Sequence, residues 1–150
     1  MLKKIQYDTT KPIYLDIGCK TLKKEGYIGI DILNFGQEIV WDIRYGIPLP
    51  DSTVSNIYCS HLLEHLEVKD IQDFFIEMHR VCRKDAEIEL RTPHSSTIEA
   101  MYACHLSLWD EVRIQGILRG LIHMCVFEIK KLEQDKKELI AIIVVKKGQS

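Results

Sequence analysis

Residues 12–32 read PIYLDIGCKTLKKEGYIGIDI, and the punctuation of this stretch decides the fold. Pro12 to Ile17 is a short apolar run that stops at Gly18, and Tyr27 to Ile32 is a second one that contains Asp31. Short apolar runs bounded by turn residues read as buried strands. Only seven residues, Lys20 to Gly26, lie between them, whereas a crossover helix with its loops takes roughly 10–12. The first connection is therefore expected to be a loop or a single turn. Gly18 stands where the chain must leave a strand sharply and let a ligand approach the backbone.

Working outward, Glu38 to Ile43 reads as a third strand and Val54 to Cys59 as a fourth, introduced by the turn-rich Pro48-Leu49-Pro50-Asp51-Ser52. Asp70 to Arg83 is the clearest helix: Ile71, Phe74, Phe75, Met78, Val81 and Cys82 form one apolar stripe at helical spacing. Lys84-Asp85 breaks it, and Ala86 to Thr92 gives a fifth strand ending at Pro93. Ser96 followed by Glu99 has capping-box spacing and predicts a helix start. A second short helix is expected from Asp110 to about Leu118.

Leu121 to Leu132 and Lys137 to Lys146 read as two strands joined by a short polar turn, hence antiparallel. Leu139 to Val145 is apolar on both faces, so it belongs inside a sheet covered on both sides, between the fifth and sixth strands. The expected fold is α/β: a Rossmann-like, doubly wound, mostly parallel seven-stranded sheet with an antiparallel C-terminal hairpin. No internal repeat or linker interrupts residues 1–150, so one domain is expected.

Bulk properties agree with a globular protein. The chain has 150 residues, of which 46% are hydrophobic and 28% charged. A formal charge of -2, with Lys and Arg scattered, gives no electrostatic footprint for nucleic acid. The longest apolar run, Leu139 to Val145, is too short to cross a membrane, and MLKKIQYDTTK lacks the apolar core of a signal peptide. Five cysteines, Cys19, Cys59, Cys82, Cys104 and Cys125, include no C-x-x-C pair. That usage points to reduced thiols in the cytoplasm.

Three residues at the ends of successive strands carry the chemistry. Gly18 ends the first; Asp31, thirteen positions later, closes the second, where an acid can accept from both hydroxyls of a ribose. Asp42 ends the third, where a carboxylate can take an adenine amino proton. Ligands of such sheets bind in the crevice beyond the carboxyl ends of the strands. Each residue alone is as readily a turn or a cap; three together are harder to dismiss.

In order along the chain, LDIGCK (15–20), GYIGIDIL (26–33), WDIRYGIPLPDSTVSNIYCSHLLEHL (41–66) and FIEMHRVCRKDAEIELRTP (75–93) resemble the motifs of class I S-adenosylmethionine-dependent methyltransferases. The nearest resemblance is to the small, type 11-like branch with a shortened first crossover. It implies S-adenosylmethionine as cofactor. Asp16, Gly18 and Cys19 would line its methionine end, Asp31 would hold the ribose, and Ile32 would lie against the adenine. Asp42 and Ile43 would meet the adenine edge and face, and Ser60 and His61 the amino acid moiety. Two departures stand out. Lys20 occupies the position of the second glycine of the G-C-G motif, and Lys84-Asp85-Ala86-Glu87 replaces the usual K-P-G-G turn. Lys20 would either crowd the cofactor or contact its carboxylate.

Methyl transfer from a sulfonium needs proximity and alignment, and a base only where the acceptor must lose a proton. His61, His94 and His105, with Tyr102, are the candidates. Ile98 to Leu108, with Met101, Tyr102, Leu106, Leu108 and then Trp109, reads either as an acceptor-binding lid or as core. The acceptor is expected to be a small molecule or one presented by a partner protein. Three rivals remain: a non-catalytic binding or scaffold protein of the same fold, another nucleotide-binding α/β enzyme such as a nicotinamide-dependent one, and a zinc hydrolase. The second lacks G-x-G-x-x-G and the helix that pyrophosphate requires. The third would use His61, Glu64 and His65 of an H-x-x-E-H pattern, though the pattern here follows a strand directly, and no metal is otherwise expected.

Overall fold

The computed structural model describes residues 8–148. Most of the N-terminal stretch on which the leader-peptide reading rests therefore lies outside the described residues. The strands are β1 (Ile13–Ile17), β2 (Ile28–Asp31), β3 (Ile39–Val40), β4 (Val54–Ser60), β5 (Cys82–Pro93), β6 (Val126–Asp135) and β7 (Glu138–Lys146). Helix α1 (Val68–Val81) joins β4 to β5, and α2 (Glu111–Gly120) joins β5 to β6. The sheet runs β3-β2-β1-β4-β5-β7-β6, winding outward from β1 in both directions. β1 to β5 are parallel, and β7 is antiparallel to both of its neighbours. The apolar last strand thus inserts between the fifth and sixth, as its pattern predicts. No helix among the described residues is long and apolar enough to cross a membrane.

Several boundaries differ for identifiable reasons. β3 is two residues long because Asp42 accepts from the Arg44 amide and caps a 3-10 turn, Ile43–Tyr45, that bends the chain away. Lys84-Asp85 is no break: β5 starts directly after α1, and the pairing jumps from Val54 with Cys82 to Asn56 with Glu87 across a bulge with Asp85 at φ +64°. The Ser96–Glu99 capping box does not form. Ser96 hydrogen-bonds His94 and Glu99 pairs with Lys137, which leaves a single 3-10 turn, Ile98–Met101. β6 begins at Val126, because residues 121–125 form a turn that buries Leu121 and Cys125 beneath α2.

The two helices pack on one face of the sheet, as right-handed crossovers running in the same direction require. Leu15 and Ile17 of β1, Ile57 of β4, Ile88 and Leu90 of β5, and Leu139, Ala141 and Ile143 of β7 point into it. There they meet Phe74, Phe75 and Met78 of α1 and Ile114 of α2. The strand register puts Asp16, Tyr58, Glu89 and Ile142 in one row on the opposite face. No described helix covers that face, since the β1–β2 and β2–β3 connections contain none. Cover on both sides of β7 is therefore partial: Ile140 is buried, but Ile142 and Val144 are half-exposed.

Candidate functional site

A cavity of about 400 Å³ opens beyond the carboxyl ends of β1, β2 and β4. Gly18 forms its floor at φ +73°, and a Cβ there would come within 3.2 Å of Leu62. Conformation and space both call for glycine at this point. The Gly18 amide donates to the Ile30 carbonyl, tying the turn to β2.

Lys20 adopts φ +48°, the left-handed region that glycine favours. Its amide donates to Asp31 Oδ2 at 3.0 Å, while the Leu33 amide donates to Asp31 Oδ1 at 3.1 Å. Two backbone amides therefore orient the carboxylate at the cavity, and each oxygen keeps acceptor capacity. The Lys20 side chain is exposed at the rim.

Ile17, Gly18, Lys20, Asp31, Ile32, Asp42, Ile43 and His61 all line the cavity. Asp16, Cys19 and Ser60 do not. Asp16, 2% exposed, accepts the Lys24 amide at 2.8 Å and pins the β1–β2 loop, and its burial raises its pKa. Cys19 packs its thiol under Gly29, and burial pushes it up to about 11. Asp42 lines the wall with both oxygens engaged by Arg44, through Nε at 3.0 and 3.1 Å and Nη2 at 2.7 Å; this pairing holds the carboxyl below its usual range. Sequence reasoning missed Leu33, Phe35, Trp41 and Arg44 in the lining, whereas Leu106, named in the lid segment, does reach it. The exposed apolar positions after β2 were the available signal, since Leu33 and Phe35 have no core to fill.

His61 sits at φ +55°, its Nε2 2.6 Å from Glu138 Oε1 and its Nδ1 3.4 Å from Glu64 Oε1. The bond to Glu64 first, and that to Glu138, raise its pKa against the opposing effect of burial. Glu64 is 2% exposed; burial pushes its pKa up, but His61 and Thr92 outweigh that and lower it. Thr92 Oγ1 donates to Glu64 Oε2 at 2.9 Å, while Oε1 faces the His61 ring. Of the H-x-x-E-H residues, Glu64 and His65 lie in a 3-10 turn, Leu63–His65, and His61 precedes it; the three do not gather as a three-ligand set.

His94 lies outside the lining, with Nδ1 bonded to Ser96 Oγ at 2.8 Å and Nε2 to Glu111 Oε2 at 3.0 Å. His105 lies beside His65, ring centroids 4.9 Å apart. The expected lid divides: Trp109 is fully buried and donates to Ser107 Oγ, whereas Met101, Tyr102, Leu106 and Leu108 are exposed. The Leu106 amide donates to the Glu64 carbonyl at 2.6 Å, docking this segment on the turn after β4.

The family described as methyltransferase domain matches residues 15–89, half of the chain. No curated protein matches the sequence. Among solved structures, a SAM-dependent methyltransferase from Archaeoglobus fulgidus is 18% identical with a TM-score of 0.67, covering 93% of this chain and 88% of that one. A SAM-dependent methyltransferase from Aquifex aeolicus is 16% identical with a TM-score of 0.67, covering 89% and 82%. A chain of the Haloferax volcanii complex between the Trm112 methyltransferase activator and a methyltransferase is 8% identical with a TM-score of 0.68, covering 93% and 84%. At these identities the likeness speaks to the fold.

Proposed function

The chain belongs to the methyltransferase-domain family, and from that premise we propose that it binds S-adenosylmethionine beyond β1, β2 and β4 and transfers its methyl group. The acceptor on this reading is a small molecule or one presented by a partner protein, and the whole chain acts as one cytoplasmic domain. The observation that carries the proposal is the Lys20–Asp31 contact: a left-handed turn off β1 aims an amide at a carboxylate on β2, beside a bare Gly18 backbone.

Asp31, already oriented by two amides, accepts from the ribose hydroxyls with its remaining lone pairs. Ile32, Phe35 and Trp41 supply apolar walls for the adenine, with Ile43 behind them. Asp16 acts through the loop it pins, and Cys19 and Ser60 support the strand ends beside it. His61, flanked by two carboxylates that favour its protonated form, offers positive charge to the cofactor carboxylate rather than serving as a base. His94, bonded on both nitrogens, ties the end of β5 to α2, and His105 stands against His65, which lines the cavity. The cofactor, when bound, supplies an already activated methyl group, so the protein's task is alignment.

Calorimetric titration with S-adenosylhomocysteine, S-adenosylmethionine and NAD tests this reading. One-to-one binding of the first two and none of NAD is expected; NAD binding in their place, or no heat from either sulfur compound, sinks it.

One observation favours a second reading, a non-catalytic binding protein of the same fold. The Arg44 fork already uses both Asp42 oxygens, so an adenine amino group must displace it. If Arg44→Ala markedly tightens S-adenosylhomocysteine binding while the wild type transfers no methyl group, that reading gains.

A further inference from the structure

His65 projects from the 3-10 turn after β4, and Cys104 and His105 come from the segment docked on it; together they offer three donor atoms within 4.8 Å of one another. We propose that these three residues form a zinc site beside the cavity that His65 lines, with a fourth position open to water or to an acceptor heteroatom. That acceptor role rests on the methyl-transfer reading; zinc binding does not.

The donor set suits the ion. Two imidazoles and one thiolate match the borderline-soft character of zinc, and three protein ligands are the pattern of sites that keep an open position. Cys104 is the one cysteine of the five that is exposed, so an ion can reach its sulfur from solvent. A tetrahedral ion would hold its ligand atoms about 3.3–3.7 Å apart. The donors therefore need to close by no more than roughly 1 Å, within reach of side-chain rotation.

Three further observations point to a cation. His65 Nδ1 lies 3.1 Å from the Cys104 carbonyl oxygen. A ring N–H donated there fixes the tautomer and frees Nε2, the arrangement that usually supports a metal-bound histidine. The Nδ1 atom of His105 is buried with no hydrogen-bond partner. Glu64 Oε1, buried and shared with His61, lies 3.8 Å from His65 Nε2 and places negative charge beside the cluster. The scaffold does not depend on the ion, because the Leu106 and Ser107 amides both reach the Glu64 carbonyl and Ser107 Oγ reaches the Leu63 carbonyl.

The test uses the full chain, stripped with a chelator and titrated with zinc alone, then with cobalt as a spectroscopic substitute. One equivalent of zinc is expected, with a thiolate-to-cobalt charge-transfer band. Cys104→Ser and His105→Asn should each weaken zinc binding at least about tenfold and Cys104→Ser should abolish the band, while the buried-cysteine control Cys125→Ser keeps both. Failure to take up an equivalent of zinc, or uptake that survives both substitutions, overturns the site. S-adenosylhomocysteine binding measured on the same samples separates the two proposals. Zinc uptake without cofactor binding defeats the methyl-transfer reading alone, and cofactor binding without zinc defeats the metal site alone.

Discussion

Between residues 13 and 45 the strands are five, four and two residues long, and side chains do much of the joining. Asp16 holds the Lys24 amide, Asp31 those of Lys20 and Leu33, Glu38 that of Gly29, and Asp42 that of Arg44. From 54 to 146 the strands run seven to twelve residues, and the apolar faces of α1 and α2 close on them. The first region is pinned by polar contacts at its edges, the second by buried apolar area. A ligand crevice needs bare backbone and oriented donors, which cannot be packed over. The region around the cavity therefore takes its order from the second region, across β1 and β4.

The largest effects should fall in the second region. Phe75 is fully buried and meets Phe127 edge-on at 6.2 Å. Phe75→Ala should cost about 3–5 kcal/mol in urea unfolding and take the first region down with it. A loss below about 1.5 kcal/mol would break the comparison. Native-state hydrogen exchange sharpens it: the amides of Ile140 to Val144, paired on both sides, should exchange only with global opening, and those of Ile39 and Val40 through local opening.

In the first region a polar pin should matter more for binding than for folding. Asp31→Ala should weaken S-adenosylhomocysteine binding by about 1–3 kcal/mol, roughly five- to 150-fold, while the melting temperature moves little. An unchanged dissociation constant removes Asp31 from the site.

The second region was largely legible because periodicity reports apolar burial. The stripe Ile71, Phe74, Phe75, Met78 and Val81 is buried as read, and β7 lies where its apolar run requires. The open sheet face went unread: a sheet covered on both sides was expected from β7, although the alternation Ala86-Glu87-Ile88-Glu89-Leu90-Arg91-Thr92 marks a half-solvated strand. In the first region the glycine and acid positions could be read, but their hydrogen-bond partners could not. Whether Asp42 extends a strand or caps a turn depends on Arg44 two residues on. The Ser96–Glu99 box lost its partners to His94 and Lys137, the second of them 38 residues away. The meeting of His65 with Cys104 and His105 likewise follows from docking, which no local pattern reports.

His61 belongs to both regions, since it faces the cavity and reaches β7 through Glu138. Its pKa is raised, so its charged contact is fully present below the ordinary imidazole value and fades as pH rises through the elevated one. Affinity for S-adenosylhomocysteine should fall across that upper window, and His61→Gln should flatten the profile. A wild-type profile that is already flat would take His61 out of the cofactor contact.

The smallest effect is expected at Lys20, where the two kinds of order meet in one residue. Its left-handed backbone costs a non-glycine residue about 1–2 kcal/mol, and Lys20→Gly relieves that cost. Glycine also has more freedom to lose on folding, about 0.5–1 kcal/mol, which cancels much of the gain. The net change is therefore a slight stabilisation, read as a small rise in melting temperature. The amide that orients Asp31 belongs to the backbone and survives the substitution, and the side chain it removes is exposed. Affinity for S-adenosylhomocysteine should accordingly stay within about threefold of wild type, less than 1 kcal/mol. Tenfold tightening would mean that the lysine crowds the cofactor, and tenfold weakening that its ammonium holds the cofactor carboxylate. Either outcome would make the side chain, and not the turn, the feature that replaces the missing glycine.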